Sequence, residues 1–427
     1  MDQNKRPLFS DVLVVGFAMF ATFFGAGNMI FPPYLGHQSG SGWWIGFLCF
    51  ILADAGLAIM TVLVMIRGDG TIWYSFKRLG KWPMYLVVVT TMTIVGPALC
   101  IPRTCATTYE MGVVPFFPNF SPWVFGIAFF AVVYVLILHR SRVVDIIGKY
   151  MTPILLISLT ILVVKGMITP LGEIGVSQPV LTLVKEGFSA GYQTMDVLGA
   201  LAFTMIVIRT VHRKGYDRHE GMVSIVSRAS VVAVAGLFVV YGGLTYLGAT
   251  TSTLELGAFN QTSLVVTITQ RLLGNVGKGL LAVMVLLACM TTAVGLASAC
   301  CNFFYALMGK KIPYRRVVLV VCIISLVISI VGISPMIALA TPILNVLYPL
   351  LLTQIVLSFF GEKIKKNSIF QGAAIGALVV CILGVAADFG APTDFVHHLP
   401  LSSLGLYWML PAALCGVIGA VIPRKTA

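Results

Sequence analysis

Three groups of residues in this chain have types and spacings that could do chemistry. The first is Phe24-Gly25-Ala26-Gly27-Asn28, in the middle of a long apolar run closed by Pro32-Pro33. Each Gly weakens a helix by about 1 kcal/mol against Ala, so a helix interrupted at this point is expected. In hydrocarbon, unwound backbone is tolerated only where protein buries it or where it lines a cavity. An interruption frees amide hydrogens and carbonyls at mid-membrane, where they can bind a carboxylate and a cation. Close packing of a Gly face on a neighbouring helix is the competing reading. The second group is Ala288-Cys289-Met290-Thr291-Thr292-Ala293-Val294-Gly295, which brings the Ala288 carbonyl and two hydroxyls within one helical turn. Such hard, neutral oxygens suit a small alkali cation. The competing reading is that each Thr bonds the carbonyl one turn back. The third group is the ionisable residues inside apolar segments, Asp54, Asp196 and Arg103. Any such residue is a functional hypothesis by default. Asp54 reads as a proton carrier or as a buried tie between helices, and the tie is favoured because the oxygen cluster already supplies coupling. Asp196 orients the interrupted segment around it or reaches Arg103. Arg103 lies about twenty residues past the inner end of its segment, roughly 30 Å up. That height assigns it to an outer gate or to snorkelling among headgroups.

The elements that must position these groups follow from composition. The chain is 58% hydrophobic and 10% charged, with a mean hydropathy of +0.98, far beyond soluble globular proteins. Twelve apolar runs are long enough to span a bilayer: roughly 11–35, 43–66, 83–106, 122–138, 146–168, 191–211, 223–248, 279–307, 317–333, 335–360, 370–387 and 402–423. No cleavable signal peptide fits the first run. A multi-pass integral membrane protein of one domain (1–427) is expected, since no connection is long enough for a soluble module.

The net charge of +13 does not indicate nucleic acid. With a cytoplasmic N-terminus, only Arg103, Lys165, Lys185, Arg271 and Lys278 of the 28 basic residues fall outside. The others occupy inner segments, among them Lys5, Arg6, Arg140, Arg142, Lys149, Arg218, Arg424 and Lys425. This obeys the positive-inside rule at every inner loop and sets both termini in the cytoplasm. The nine cysteines lie in or beside apolar runs without metal-ligand spacing and read as small packing residues.

Spans 1 and 6 are the two with interior interruptions. The second reads Gly191-Tyr192-Gln193-Thr194-Met195-Asp196-Val197-Leu198-Gly199-Ala200-Leu201-Ala202-Phe203-Thr204. Five spans separate the two interruptions, and an odd number inverts orientation. Paired broken helices in inverted halves point to a transporter's binding site. A 5+5 inverted repeat is expected, with halves at about 10–168 and 190–360 and additional helices at about 368–423.

These residues resemble a known family, the bacterial branched-chain amino acid:cation symporters (LIVCS) of the amino acid–polyamine–organocation superfamily, which has a LeuT-type all-α fold. The resemblance covers nearly the whole chain. It is carried by Phe24-Gly25-Ala26-Gly27-Asn28 with Ile30-Phe31-Pro32-Pro33, by Gly96-Pro97 with Pro102-Arg103-Thr104, by Thr194-Met195-Asp196 with Leu198-Gly199-Ala200, and by Thr292-Ala293-Val294-Gly295-Leu296. It implies import of leucine, isoleucine and valine driven by a cation, Na⁺ in the first instance, with no organic cofactor. It further implies a cation held by the carbonyls of Ala21 and Phe24 with Ala288, Thr291 and Thr292. Amides of Ala26 and Gly27, beside Gly25 and Asn28, would take the substrate carboxylate. Span 6 carbonyls from Leu198 and Gly199 to Ala200 and Leu201 would take its ammonium. Thr204 stands where the family often has Gly, so span 6 unwinds at Gly199 or closer to Phe203. In the superfamily, Asn28 is also a candidate for a second cation.

Residue chemistry agrees independently. A zwitterion at low dielectric needs both partial charges satisfied, and helix ends do this without importing full charges. Its aliphatic side chain needs an apolar pocket, for which Phe203, Ile206 and Leu198 are candidates. Other classes fit less well. A proton-coupled carrier of another small neutral solute is the alternative within the superfamily. An intramembrane aspartyl enzyme would need Asp54 and Asp196 close enough to share a proton, and neither has a catalytic frame. A channel would predict pore symmetry or carboxylate rings, and neither is present.

Overall fold

The computed structural model describes residues 8–139, 152–216, 219–255, 257, 259–361 and 363–421. Lys5, Arg6, Arg140, Arg142, Lys149, Arg218, Arg424 and Lys425 lie outside the described residues, as do the first residues of span 5 and the last of span 12.

The described residues are helical and contain no β-strand. In order, the helices are α1 (Phe9–Phe23), α2 (Ala26–Ser39), α3 (Trp43–Ile51), α4 (Leu57–Arg67), α5 (Lys81–Thr93), α6 (Cys100–Thr108), α7 (Pro122–Leu138), α8 (Thr152–Ile168), α9 (Val180–Thr194), α10 (Asp196–Arg213), α11 (His219–Ala249), α12 (Gln261–Leu307), α13 (Tyr314–Ser329), α14 (Ile333–Phe359), α15 (Asn367–Asp388) and α16 (Met409–Val421). A wide five-residue turn at Leu52–Gly56 joins α3 to α4 in one rod, whereas the turn at Ile94–Ala98 between α5 and α6 is kinked, with non-helical backbone at Gly96 (φ −84°, ψ −118°). Among the described residues, seven helical stretches are long and apolar enough to cross a membrane, with four shorter apolar helices beside them.

Several boundaries differ from the sequence expectation. Span 1 does not close at Pro32-Pro33; α2 runs through both prolines to Ser39. A proline within a helix removes a hydrogen-bond donor, and here that leaves the Asn28 and Met29 carbonyls without their usual partners one turn on. The sixth span starts at Val180 rather than near 191, which brings its interruption to mid-span. The third runs on to Val113, about ten residues or ~15 Å beyond Arg103. Arg103 is therefore not at the outer mouth. The outer connection before span 8 is helical from Gln261, started by an Asn260–Ser263 capping box and broken at Gly274. The Gly274 backbone is left-handed (φ 61°), a region that favours glycine.

The core forms where α1 and α2 pack along α11, α9 packs on α3, and α10 packs on α4. Opposite them α6 packs against α12, and α12 against α13. Glycines permit the closest approaches. A Cβ on Gly248 would lie 1.9 Å from the Pro33 carbonyl oxygen, and one on Gly36 1.8 Å from that of Thr245. These contacts hold α2 against α11 and so fix the interrupted first span in place.

Candidate functional site

The first interruption occupies two residues. Phe24 (φ −79°, ψ 98°) and Gly25 (φ −125°, ψ −165°) are extended between α1 and α2. Helix ends leave their last carbonyls and first amides without intrahelical partners. The last turn of α1, including Ala21, therefore offers carbonyls, and Ala26, Gly27 and Asn28 offer amides. Gly25 and Gly27 are not left-handed, so their role is close approach. A Cβ on Gly25 would sit 3.1 Å from Thr292 Oγ1. One on Gly27 would sit 2.9 Å from Arg103 Nη2 and 3.0 Å from Thr194 Cα.

The second interruption is a single residue. Met195 adopts a left-handed conformation (φ 65°, ψ 22°) between α9 and α10, which costs an L-residue about 1–2 kcal/mol. Span 6 thus unwinds neither at Gly199 nor near Phe203. The Gly199 amide already donates to the Met195 carbonyl at 2.8 Å, so α10 is regular from its start. The Thr194 hydroxyl donates back to Gly191 O (2.6 Å), closing α9. The exposed end of α9 is then covered by Arg103, which donates from Nη1 to Gln193 O and from Nη2 to Thr194 O (2.6 Å). Arg103 is 4% exposed, so it does not snorkel. It places full positive charge on the negative end of a helix dipole.

The three buried polar residues meet here. Asn28 Nδ2 donates to Asp196 Oδ2 (2.9 Å) and to Asp54 Oδ2 (3.3 Å), and also contacts the Tyr241 hydroxyl. The Thr194 hydroxyl is 2.5 Å from Asp54 Oδ1. Asp54 on the second span therefore contacts residues of both interruptions. Asp196 reaches Asn28, while the hydrogen bonds of the Arg103 guanidinium go to backbone carbonyls. Asp54 and Asp196 do come together, both on the Asn28 amide.

In the Ala288-Thr291-Thr292 cluster the two hydroxyls differ. Thr291 donates to the Ala288 carbonyl (2.9 Å), as the local-bond reading expects. The Thr292 hydroxyl is buried without a partner and faces Gly25 at the first interruption.

A cavity lies between the interruptions, lined by Thr22, Phe23, Gly25, Ala26, Gly27, Asn28, Cys100, Arg103, Thr104, Thr194, Met195, Asp196, Gly199, Phe203, Thr292 and Leu296. About 20 Å³ is open to water centres, room for roughly one or two waters and too little for an aliphatic amino acid. Of the expected substrate residues, Gly25, Ala26, Gly27, Asn28, Gly199 and Phe203 line it, and Leu198, Ala200 and Leu201 do not. The Leu198–Leu201 carbonyls sit inside regular helix, and that of Ala200 also accepts from the Thr204 hydroxyl (2.7 Å). Ile206 lines a second, separate cavity. Of the expected cation ligands, Thr292 lines the main cavity, while Ala21, Phe24, Ala288 and Thr291 do not. Sequence reasoning missed Tyr241, Cys100, Thr104, Met195 and Leu296. Each looks like an ordinary core residue of its span, although the motifs quoted above contain three of them, Thr104, Met195 and Leu296.

The sequence pattern of branched-chain amino acid transport proteins matches residues 9–426. The chain is 35% identical over 426 residues to branched-chain amino acid permease BraB of Bacillus subtilis, covering 96% of this chain and 94% of that one. It is 36% identical over 422 residues to the branched-chain amino acid transport system 2 carrier protein of Pseudomonas aeruginosa, covering 97% and 96%. In three dimensions it resembles a nucleobase-cation-symport-1 family transporter in a closed conformation with bromovinylhydantoin bound (TM-score 0.66, 13% identity, 98% and 95% covered). That likeness shows a shared transporter fold. With two interrupted spans meeting at a buried cavity and a match that runs nearly end to end, the chain belongs to the branched-chain amino acid transport protein family, whose members are multi-pass membrane transporters and not enzymes.

Proposed function

We propose that this transporter imports leucine, isoleucine and valine across the cell membrane (the inner or plasma membrane) by symport with Na⁺. The chain acts as one transmembrane domain of twelve spans, a 5+5 inverted repeat with two appended helices and both termini cytoplasmic. The names of the relatives support the substrate class. One observation carries the coupling ion: Thr292 Oγ1 is buried without a partner, against Gly25, beside the free carbonyls that end α1. A neutral oxygen cluster at a helix C-terminus favours a cation. Na⁺ is held by carbonyls of Ala21, Phe24 and Ala288 with the hydroxyls of Thr291 and Thr292, and Thr291 turns from its local bond when the ion binds. The substrate carboxylate meets the amides of Ala26 to Asn28, and its ammonium goes to Asp196, the acidic group in the cavity lining. Since the cavity is too small for leucine, α1 and α9 must shift against α6 and α12 to admit it. Arg103 and Asp196 gate that movement.

Proton coupling is the second reading, favoured by the convergence of Asp54 and Asp196 on Asn28. Uptake of leucine into proteoliposomes, with Na⁺ and pH gradients varied independently, separates the two. Thr292→Ala removes one charge-assisted oxygen contact worth about 1.5–3 kcal/mol, so Na⁺ affinity should fall tenfold or more, while Thr292→Ser keeps it. Unchanged Na⁺ dependence in the Ala variant, or uptake driven by pH alone, rejects the Na⁺ site.

A further inference from the structure

Arg103 holds a buried positive charge whose donors are only partly used. A guanidinium carries five N–H donors. Nη1 donates to the Gln193 carbonyl and Nη2 to that of Thr194. Five donors less these two leave three, and the Nε–H is among them, buried without a partner. The side chain is 4% exposed, too little for bulk solvent to serve these donors. Among the described residues its hydrogen bonds go to carbonyls alone, while Asp54 and Asp196 both turn to Asn28. Carbonyls offer partial charge only. Burying an ion is costly unless a counter-charge and hydrogen bonds replace its water.

Arg103 lines the cavity between the interruptions and stands beside α2 there. A Cβ on Gly27 would lie 2.9 Å from Nη2, the nitrogen that shares the side edge of the fork with Nε. Phe31, four residues on and on the same face of α2, has its ring centroid 5.8 Å from Arg103 Cζ. Gly27 thus admits the guanidinium to the first turn of α2, whose amides have no partner within the helix. Two kinds of donor converge at this point. One is the amide end of a helix, which carries the positive end of its dipole. The other is the side edge of a guanidinium that its two carbonyl bonds hold in orientation. Two parallel N–H bonds on a planar edge match the two oxygens of a carboxylate.

We propose that Arg103 binds the substrate directly, its Nε and Nη2 edge taking the α-carboxylate that the amides of α2 also hold. The inference rests on the reading of the main cavity as the substrate site. It makes the transporter selective for an anionic carboxylate: a neutral analogue of leucine leaves the guanidinium without its counter-charge. The same residue closes α9, so the carboxylate is tied through one side chain to both interruptions.

The test is uptake of labelled leucine by the full-length protein in proteoliposomes, in competition with unlabelled L-leucine, L-leucinamide and L-leucinol. At about pH 6 the amines are charged, so the competitors differ at the carboxylate alone. In the parent, leucinamide and leucinol should compete at least about tenfold more weakly than leucine. In Arg103→Gln, leucine should lose about tenfold or more, the range of a charge-assisted hydrogen bond, while leucinamide changes little. The leucine-to-leucinamide preference should therefore fall about tenfold or more. Loosening of α9 weakens both ligands alike and leaves that preference unchanged, so a parental preference in Arg103→Gln overturns the proposal. Arg103→Lys keeps a charge for the α9 carbonyls but not the planar edge, and should lower the preference by a smaller factor. It is the variant to read if Arg103→Gln does not fold, and a parental preference in it is equally fatal. Leucinamide competing as well as leucine in the parent overturns the proposal without any variant. A parent that takes up no leucine under any cation gradient refutes the substrate reading itself, a result distinct from the others.

Discussion

Gly27→Ala separates local preference from tertiary contact. Gly27 sits in the first turn of α2 with helical backbone, where Ala is favoured by about 1 kcal/mol on propensity alone. The surroundings oppose it. The new Cβ would lie 2.9 Å from Arg103 Nη2 and 3.0 Å from Thr194 Cα. Thr194 Cα belongs to the α9 backbone and cannot swing aside. Arg103 can, but only by giving up its 2.6 Å bond to Thr194 O, a charge-assisted bond worth about 1.5–3 kcal/mol. Overpacking against the backbone adds about 1–3 kcal/mol. Net destabilisation of about 2–5 kcal/mol is expected, with weakened leucine binding because both interruptions move. Melting temperature and leucine binding, measured on the same purified sample, report the two effects. A double-mutant cycle with Arg103→Ala identifies the route, since coupling of about 0.5–3 kcal/mol marks residues in contact. A Gly27→Ala protein that melts at or above the parent and binds leucine equally well would refute the reasoning. Gly27→Val should act in the same direction and more strongly. The Cβ direction of Gly27 faces Arg103 and Thr194 of span 6.

Two further outcomes are expected. Asp54→Ala removes the carboxylate that Asn28 and Thr194 share, while Asn28 keeps Asp196 and Thr194 keeps the Gly191 carbonyl, so the loss should be that of a charge-assisted contact, about 1.5–3 kcal/mol; Asp54→Asn should melt closer to the parent, and equal melting of the two would remove Asp54 from its tying role. Gly248→Ala puts a Cβ 1.9 Å from the Pro33 carbonyl oxygen, so membrane abundance should fall sharply, and normal abundance would mean that α2 and α11 are not held by that contact.

Much of this protein was legible in one dimension because a bilayer imposes one-dimensional constraints. Apolar length, basic inner loops and helix-breaking residues at mid-span are local properties, and they gave the helical class and the interruption at Phe24–Gly25. That Thr292, unlike Thr291, keeps an unpartnered hydroxyl was not legible there, since the two read alike in sequence. What sequence could not supply was the level at which separate spans meet. The second interruption falls at Met195, a residue with no local reason to be left-handed, because the Thr194 hydroxyl and the Arg103 guanidinium, both anchored by other spans, close α9 one residue earlier. Arg103 was misplaced at the outer mouth because its height depends on where span 3 ends, and that end is set by packing against α12. Asp54, Asp196 and Tyr241 come from three spans and converge on one side-chain amide. Hydropathy and propensity register how each helix relates to solvent and to itself, whereas these contacts depend on how helices rotate and slide against one another, which only close packing in three dimensions decides.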